Sequence, residues 1–140
     1  MERDREPDTP LGVADRLELL ELYARLAEAI DSGDAAGWAS LFTEDGSLRT
    51  SRGLEVRGRP ALARFAAEWF DSTAGRSRHA SWHHRFEGAG VDAEGTCRAA
   101  VLRGGDAGIG IDLSAIYRDR FRWEPGGWRL RSREVVADPE

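Results

Sequence analysis

Residues 108–123, GIGIDLSAIYRDRFRW, form the longest alternating segment of the sequence. Successive side chains of a β-strand point to opposite faces, so the alternation assigns each residue to a face. One face is mostly apolar: Ile109, Ile111, Leu113, Ala115, Tyr117, Phe121 and Trp123. Asp119 is the only charged residue in that row. The pattern predicts a strand buried on one side, in which the Asp119 carboxylate has a partner or a raised pKa.

Further strands are predicted on both sides of this segment. Residues 77–87, 95–103 and 128–136 are strand-like and are separated by glycine-containing turns. After a turn at 44–46, short strands are expected at 47–51 and 54–57, with Arg52-Gly53 between them. Three helices precede the long strands. The first, at 15–31, has apolar residues at three- and four-residue spacing; Asp34 can cap the second, which contains Trp38 and Phe42; Pro60 begins the third.

Helices followed by hairpin-connected strands indicate the α+β class, with a mainly antiparallel sheet covered by helices on one face. We expect a flexible tail at residues 1–12 and a single domain at 13–138.

Composition excludes several kinds of chemistry. The chain has 140 residues and a formal charge of −5; all 20 basic residues are arginine, and lysine, asparagine and glutamine are absent. A Schiff-base lysine and a phosphate-loop lysine are therefore excluded. Residues 47–140 carry a net charge of only +3, weaker than is typical of a nucleic-acid binder. No nucleic-acid partner is therefore expected. One cysteine, no apolar stretch of membrane-spanning length and no signal-peptide core predict a cytoplasmic protein without a membrane partner. The abundance of arginine, alanine and glycine is typical of GC-rich coding, and a bacterial source is expected.

The three histidines do not suggest a metal site. His79, His83 and His84 fall in one predicted strand, where His79 and His83 share a face but lie about 13 Å apart, and His84 points the other way. That separation is too large for two ligands of one metal ion. Residues 108–110 lack the third glycine of a dinucleotide-binding fingerprint. The sequence therefore predicts neither a metal nor a cofactor.

A family resemblance rests on an ordered set of segments. These are Tyr23 with Asp31-Ser32-Gly33-Asp34, Trp38 with residues 41–46, Gly58 and Pro60, His79, Tyr117-Arg118-Asp119, and residues 127–130 through Arg133. Over about residues 14–137 the chain resembles SnoaL-like proteins of the nuclear transport factor 2-like (NTF2-like) superfamily. The resemblance implies a cone, in which a strongly curved sheet encloses a pocket closed by helices.

Within this superfamily, the pattern is most similar to that of the scytalone dehydratase, bile-acid dehydratase and hexachlorocyclohexane dehydrochlorinase group. Those enzymes use an Asp–His dyad, which matches Asp31 and His79. The dehydrochlorinase also has an arginine and an aspartate that match Arg133 and Asp119. The resemblance implies that neutral His79 takes a proton from a substrate carbon and that Asp31 fixes its tautomer. Arg133 would stabilise a departing anion or an enolate-like oxygen.

The orientation of Arg133 stays open at this level. Strict alternation places it with Arg129 and Arg131, opposite Trp128 and Leu130. Either the arginine face turns inward near residue 133, or a β-bulge intervenes, or Arg133 lies on the surface or in an interface.

These observations predict a cofactor-independent lyase, most simply a dehydratase, that acts on a small, largely apolar cyclic metabolite. The alternatives are a non-catalytic cone that binds a ligand or only oligomerises, and a cyclase, isomerase or epoxide hydrolase that uses the same pocket. A homo-oligomer, either a dimer or a trimer, is expected. The residues expected to contact substrate or form the pocket walls are Tyr23, Phe42, Thr50, Phe65, Trp69, His83, Tyr117 and Asp119.

Overall fold

A computed structural model describes residues 5–139, which form three helices and one six-stranded sheet. The helices are α1 (Val13–Ser32), α2 (Ala35–Ser40) and α3 (Arg59–Ser72). The strands are β1 (Phe42–Thr50), β2 (Glu55–Arg57), β3 (Ser77–Ala89), β4 (Asp92–Gly105), β5 (Gly108–Glu124) and β6 (Gly127–Ala137). The order in the sheet is β2-β1-β6-β5-β4-β3, with only the β1–β6 pair parallel. The predicted α+β class and curved, mainly antiparallel sheet are confirmed.

The helices follow the predicted periodicity, with one difference at the end of α2. The apolar face of α1 is buried, and Gly33 ends the helix in the left-handed conformation that glycine adopts without strain. The Asp34 side chain accepts a hydrogen bond from the backbone N–H of Gly37, as expected of a helix cap. Phe42, predicted in the second helix, instead begins β1. No helix within residues 5–139 is both long and apolar enough to cross a membrane.

The turn predicted at residues 44–46 is wrong, because this segment lies inside β1. Phe42 pairs with Leu130 of β6, but Ser47 pairs with Ser132, so the register shifts between them. Four residues of β1 therefore lie opposite one residue of β6. The polar Glu44-Asp45-Gly46 sequence accommodates this irregularity within the strand instead of ending it.

The N-terminal segment is also different from the prediction. Residues 1–4 lie outside the described part of the chain. In residues 5–12, Arg5 and Leu11 pack against the rest of the fold, and residues 6–10 stay exposed. The Arg5 guanidinium lies 5.3 Å from the ring centre of Trp123 and 5.2 Å from that of Trp128. It also forms a 2.8 Å ion pair with Asp15. Cation–π contacts and a half-buried ion pair hold a segment whose composition alone indicated a loose tail.

Packing divides the inner face of the sheet into two regions. Near the β5–β6 turn, large side chains from the sheet and the helices are fully buried against one another: Leu19, Phe42, Leu62, Phe121, Trp128 and Leu130. Toward the other end of the sheet, the helices α1 and α3 do not fill the space that the curved sheet encloses. This second region contains the cavity.

Candidate active site

A cavity of about 200 Å³ lies between the inner face of the sheet and the helices. Its walls are mainly apolar, with Leu26 and Ile30 from α1, Phe65 and Trp69 from α3, and Val101 from β4. The polar side chains that reach it are fewer: Tyr23, Thr50, His79, Ser81, Tyr117 and Arg133. A mostly apolar cavity with a few convergent polar groups is typical of a small-molecule site.

Asp31 and His79 form a close pair at the cavity wall. His79 Nδ1 lies 2.7 Å from Asp31 Oδ1. The backbone N–H of His79 also donates to the same carboxylate, at 3.0 Å from Oδ2 and 3.1 Å from Oδ1. Because an ionised carboxylate only accepts hydrogen bonds, the proton is assigned to Nδ1 and Nε2 is left with a free lone pair.

The position of Asp31 follows from where α1 ends. Asp31 lies in the last turn of α1, where the helix dipole disfavours a negative charge. The two hydrogen bonds from His79, at the start of β3, offset that cost and tie the helix to the sheet. The ring of Trp69 lies 5.8 Å from the His79 ring, centre to centre, and is tilted against it by 58°. The imidazole is therefore held in one orientation.

Arg133 and Asp119 form a second, more deeply buried pair. Their side chains are 8% and 0% exposed, and two parallel hydrogen bonds of 2.9 and 3.0 Å join Nε and Nη2 of Arg133 to the Asp119 carboxylate. The hydroxyl of Tyr23 donates a third hydrogen bond to Asp119. The Arg133 guanidinium also lies 4.1 Å from the ring centre of Tyr117. Arg133 reaches the cavity, whereas Asp119 lies behind it.

The electrostatics of this cluster fix the protonation states. Burial alone would lower the pKa of Arg133, but Asp119 raises it further than burial lowers it, so the guanidinium is charged. Burial and the Asp119 charge raise the pKa of Tyr23, so the phenol keeps its proton. Burial raises the pKa of the nearby Cys97 thiol to about 11, which leaves it unreactive at neutral pH. The charges of Arg133 and Asp119 cancel, and Tyr23 and Cys97 add none.

A β-bulge in β6 turns the Arg133 side chain toward the inner face of the sheet. Phe121 of β5 pairs with Leu130, but Arg120 pairs with Ser132, so Arg131 is an extra residue in β6. Arg131 is exposed, and the alternation resumes one residue later, with Arg133 on the same face as Leu130. Of the alternatives left open by the sequence, the bulge is the one the structure contains.

A second bulge makes the prediction for His83 wrong. Trp82 pairs with Arg98 and Arg85 with Thr96, so His83 and His84 together lie opposite Cys97. His83 takes a φ of 57° and is exposed, away from the cavity. His84 turns inward instead, and its ring meets the Tyr23 ring edge-on at 4.6 Å.

The remaining predicted positions fall into two groups. Tyr23, Thr50, Phe65, Trp69 and Tyr117 line the cavity, as do His79 and Arg133. Asp31 and Asp119 support His79 and Arg133 from behind, and Phe42 is fully buried in the packed region. Sequence reasoning missed Ser81 and His84; the serine two residues after His79 on a shared strand face was the available signal. Within residues 5–139, no group of three or more His, Cys, Asp or Glu side chains could hold a metal ion.

Comparison with known proteins gives a consistent result. The model of the SnoaL-like domain family matches residues 12–134. A protein of unknown function from Mycobacterium tuberculosis is 33% identical, with a TM-score of 0.82 over 92% of this chain and 78% of that chain. An NTF2-like protein with a cystatin-like fold from Novosphingobium aromaticivorans is 29% identical, with a TM-score of 0.83 over 89% and 82%.

One similar structure was solved as a complex. A protein from Catenulispora acidiphila, solved in complex with S-DNPA, is 25% identical, with a TM-score of 0.81 over 91% of this chain and 96% of that chain. No curated protein matches the sequence. The family match spans all three helices and nearly all of the sheet. The chain belongs to the SnoaL-like domain family of the NTF2-like superfamily, a family that includes polyketide cyclases and dehydratases.

Proposed function

We propose that the protein is a cofactor-independent lyase that eliminates water from a small, largely apolar cyclic compound. One observation carries the proposal. The Asp31 carboxylate accepts from the backbone N–H of His79 and lies 2.7 Å from His79 Nδ1, which leaves His79 Nε2 as a free base at the wall of an apolar cavity. Such an arrangement suits general base catalysis, in which geometry and tautomer are fixed before the substrate binds.

The elimination follows from this geometry. His79 Nε2 takes a proton from a substrate carbon next to a carbonyl group, and the electron pair moves onto the carbonyl oxygen. Asp31 stabilises the imidazolium that forms. The electron pair then returns to make a carbon–carbon double bond and expels hydroxide, which takes the proton back from His79. One water leaves, and His79 returns to its neutral form.

Arg133 supplies the stabilising contact for the negative oxygen. Its Nε and Nη2 are occupied by Asp119, and within the described residues its Nη1 has no hydrogen-bond partner. A donor held in advance at a cavity of low polarity stabilises a developing charge more than one exposed to water. Because Asp119 already balances the guanidinium charge, we expect the resting site to take a neutral substrate.

The comparisons support a small-molecule ligand. The Catenulispora acidiphila relative was solved in complex with S-DNPA, and the family includes cyclases as well as dehydratases. A cavity that binds a ligand without turnover is the main alternative. The free Nε2 of His79 favours catalysis, since a site that only binds has no need of a base fixed in one tautomer.

The proposal is tested with a panel of cyclic β-hydroxy ketones, following the conjugated enone product by absorbance. We expect turnover in the wild type and a fall of about 10²- to 10⁴-fold in His79→Ala, the range that general base catalysis contributes. Asp31→Asn should fall as well, because it no longer favours the required tautomer. Asp34→Asn is the matched control: Asp34 caps α2, and asparagine caps a helix equally well.

Two results would contradict the proposal. Turnover that is unchanged in His79→Ala would show that another group is the base. Saturable binding of the panel without any enone formation in the wild type would favour the non-catalytic alternative.

A further inference from the structure

The inner wall of β3 carries a second hydrogen-bonded pair that the proposed elimination does not use. Ser81 Oγ lies 2.9 Å from His84 Nε2, and Ser81 lines the cavity two residues after His79. Residues two apart in a strand face the same side, about 7 Å from each other. The Ser81 hydroxyl and the His79 ring therefore border the same space.

The backbone of β3 is shaped to place His84 there. The bulge at His83 puts two residues opposite Cys97, and His83 has a φ of 57°, a conformation that side-chain-bearing residues rarely adopt. Such local strain persists only where the surrounding structure fixes it, and it is common at functional sites. His84 packs edge-on against Tyr23 at 4.6 Å and is stacked with Phe86 at 6.3 Å. These contacts hold its Nε2 at Ser81.

The neighbouring cavity wall offers few other polar partners. Among the residues of β3 and β4 that line the cavity, Ala80 and Val101 are apolar, and only His79 and Ser81 carry polar side chains. If an oxygen substituent lies against this wall and away from His79, Ser81 is therefore the only side chain of β3 and β4 lining the cavity that can form a hydrogen bond with it. Leaving such an oxygen without a hydrogen bond would weaken binding.

We propose that Ser81, positioned by His84, binds an oxygen substituent of the substrate and so selects cyclic compounds with a hydroxyl or carbonyl about 7 Å from the carbon that His79 deprotonates. The identity of that carbon rests on the proposed function; the oxygen-binding role of Ser81 does not. Ser81 is a specificity-determining residue in this scheme, and His84 is a positioning residue.

A neutral His84 lets the serine serve either kind of oxygen. Burial lowers the pKa of His84 and Arg133 lowers it further, against an opposing effect of Asp119, so the ring is neutral at pH 7. When Nε2 accepts the Ser81 proton, Oγ is free to accept from a substrate hydroxyl. When Nε2 is protonated and donates to Oγ, the Ser81 proton is free for a substrate carbonyl.

The test uses 2-naphthol and naphthalene, which differ by one oxygen, as probes of the full chain. Their dissociation constants are measured by quenching of tryptophan fluorescence, since Trp38 and Trp69 line the cavity. We expect the wild type to bind 2-naphthol about three- to ten-fold more tightly than naphthalene, the range that one net hydrogen bond gives. Ser81→Ala should abolish this preference without changing naphthalene binding, and Ser81→Thr should keep it.

His84→Phe tests the positioning role, because it keeps an aromatic ring against Tyr23 but cannot bond to Ser81. We expect it to reduce the preference for 2-naphthol while leaving naphthalene binding within about two-fold, a pattern that general loosening of the fold would not give. His79→Ala should keep the preference for 2-naphthol, whereas the same variant should lose turnover if His79 is the base. The oxygen-binding role of Ser81 and the proposed elimination can therefore fail separately.

Three outcomes would overturn the inference. The first is a wild type without a preference for 2-naphthol, including one that does not bind it saturably. The second is an undiminished preference in Ser81→Ala. The third is a preference that disappears in His79→Ala and survives in Ser81→Ala, which would assign the oxygen to His79.

Discussion

Asp119 shows how much of the site depends on a single buried residue. Its carboxylate accepts hydrogen bonds from Nε and Nη2 of Arg133 and from the Tyr23 hydroxyl, and the residue is 2% exposed. Removing a buried charge from water is costly, and only close, well-oriented partners offset that cost. Asp119 therefore makes it possible for an arginine to lie at an apolar cavity.

We predict that Asp119→Ala lowers the free energy of unfolding by about 3–5 kcal/mol, because it leaves the Arg133 charge buried without a partner. Urea denaturation measures the effect. Asp112→Ala is the matched control on the same strand: Asp112 pairs with Arg103, but both side chains are about two-fifths exposed. An exposed pair contributes about 0–1 kcal/mol. Equal losses in the two variants would contradict the buried-pair interpretation.

At the scale of strands and helices, the sequence predicts the elements better than it predicts their faces. Hydrophobic periodicity is a local property, so α1, α3 and the four long strands could be located from it. The family resemblance then indicated Asp31 and His79, whose contact joins the end of α1 to the start of β3. Pairing of residues 48 positions apart cannot be read from local periodicity.

Two bulges explain the positions that alternation could not give. The extra residue Arg131 turns Arg133 inward, and the bulge at His83 exchanges the faces of His83 and His84. Nothing local in either strand requires the extra residue. The extra residue is defined by pairing with the neighbouring strand, which is a tertiary effect. A shift of one residue then moves every following side chain to the other face.

The contact between Arg5 and Asp15 predicts how the stability of the fold depends on acid pH. Burial would raise the pKa of Asp15, but hydrogen bonds from Arg5, the Gly12 backbone and Trp128 outweigh it and lower the pKa to about 2. The carboxylate then stabilises the fold above about pH 4, and its contribution is lost as the pH falls through about 2. Relative to the wild type, Asp15→Asn should lose up to about 2 kcal/mol at pH 6.

Urea denaturation at pH 6, 4 and 2.5 measures this difference. We expect the gap between the wild type and Asp15→Asn to change little between pH 6 and 4 and to shrink clearly at pH 2.5, because the carboxyl group of the unfolded chain takes up a proton there while most of the folded chain keeps its carboxylate ionised. A gap that stays constant over this range would indicate that Asp15 contributes through packing and not through its charge.

The glycine that ends α1 gives a prediction about stability. Gly33 has a φ of 81°, and an added Cβ would lie 3.1 Å from the Phe70 ring. Gly33→Ala should therefore cost about 1 kcal/mol or more in unfolding free energy, through backbone strain and crowding. Gly110→Ala is the control, since a Cβ there meets nothing within 4 Å and the backbone is not in the left-handed region. Thermal unfolding compares them, and equal midpoints would contradict the prediction.

Across the whole molecule, the inner face of the curved sheet has two regions: one is packed against the helices, and the other borders the cavity. At one end, Phe121, Trp128 and Leu130 are packed against α1 and the start of β1, and this region supplies the stability. At the other end, the same strands leave space between the sheet and the helices, and His79 and Arg133 reach that space. A fixed packed region lets a cavity persist without collapsing.

This division predicts unequal costs for one substitution on one sheet. Leu130 is fully buried in the packed region, so Leu130→Ala should lower the free energy of unfolding by about 2–5 kcal/mol, since it removes contacts and leaves a void. Leu113 is half-buried and borders the cavity, so Leu113→Ala removes fewer contacts and enlarges a space that already exists. We expect it to cost less than half as much in urea denaturation. Equal costs would mean that the space around Leu113 is filled by packed side chains, and the molecule would then have no room for a substrate.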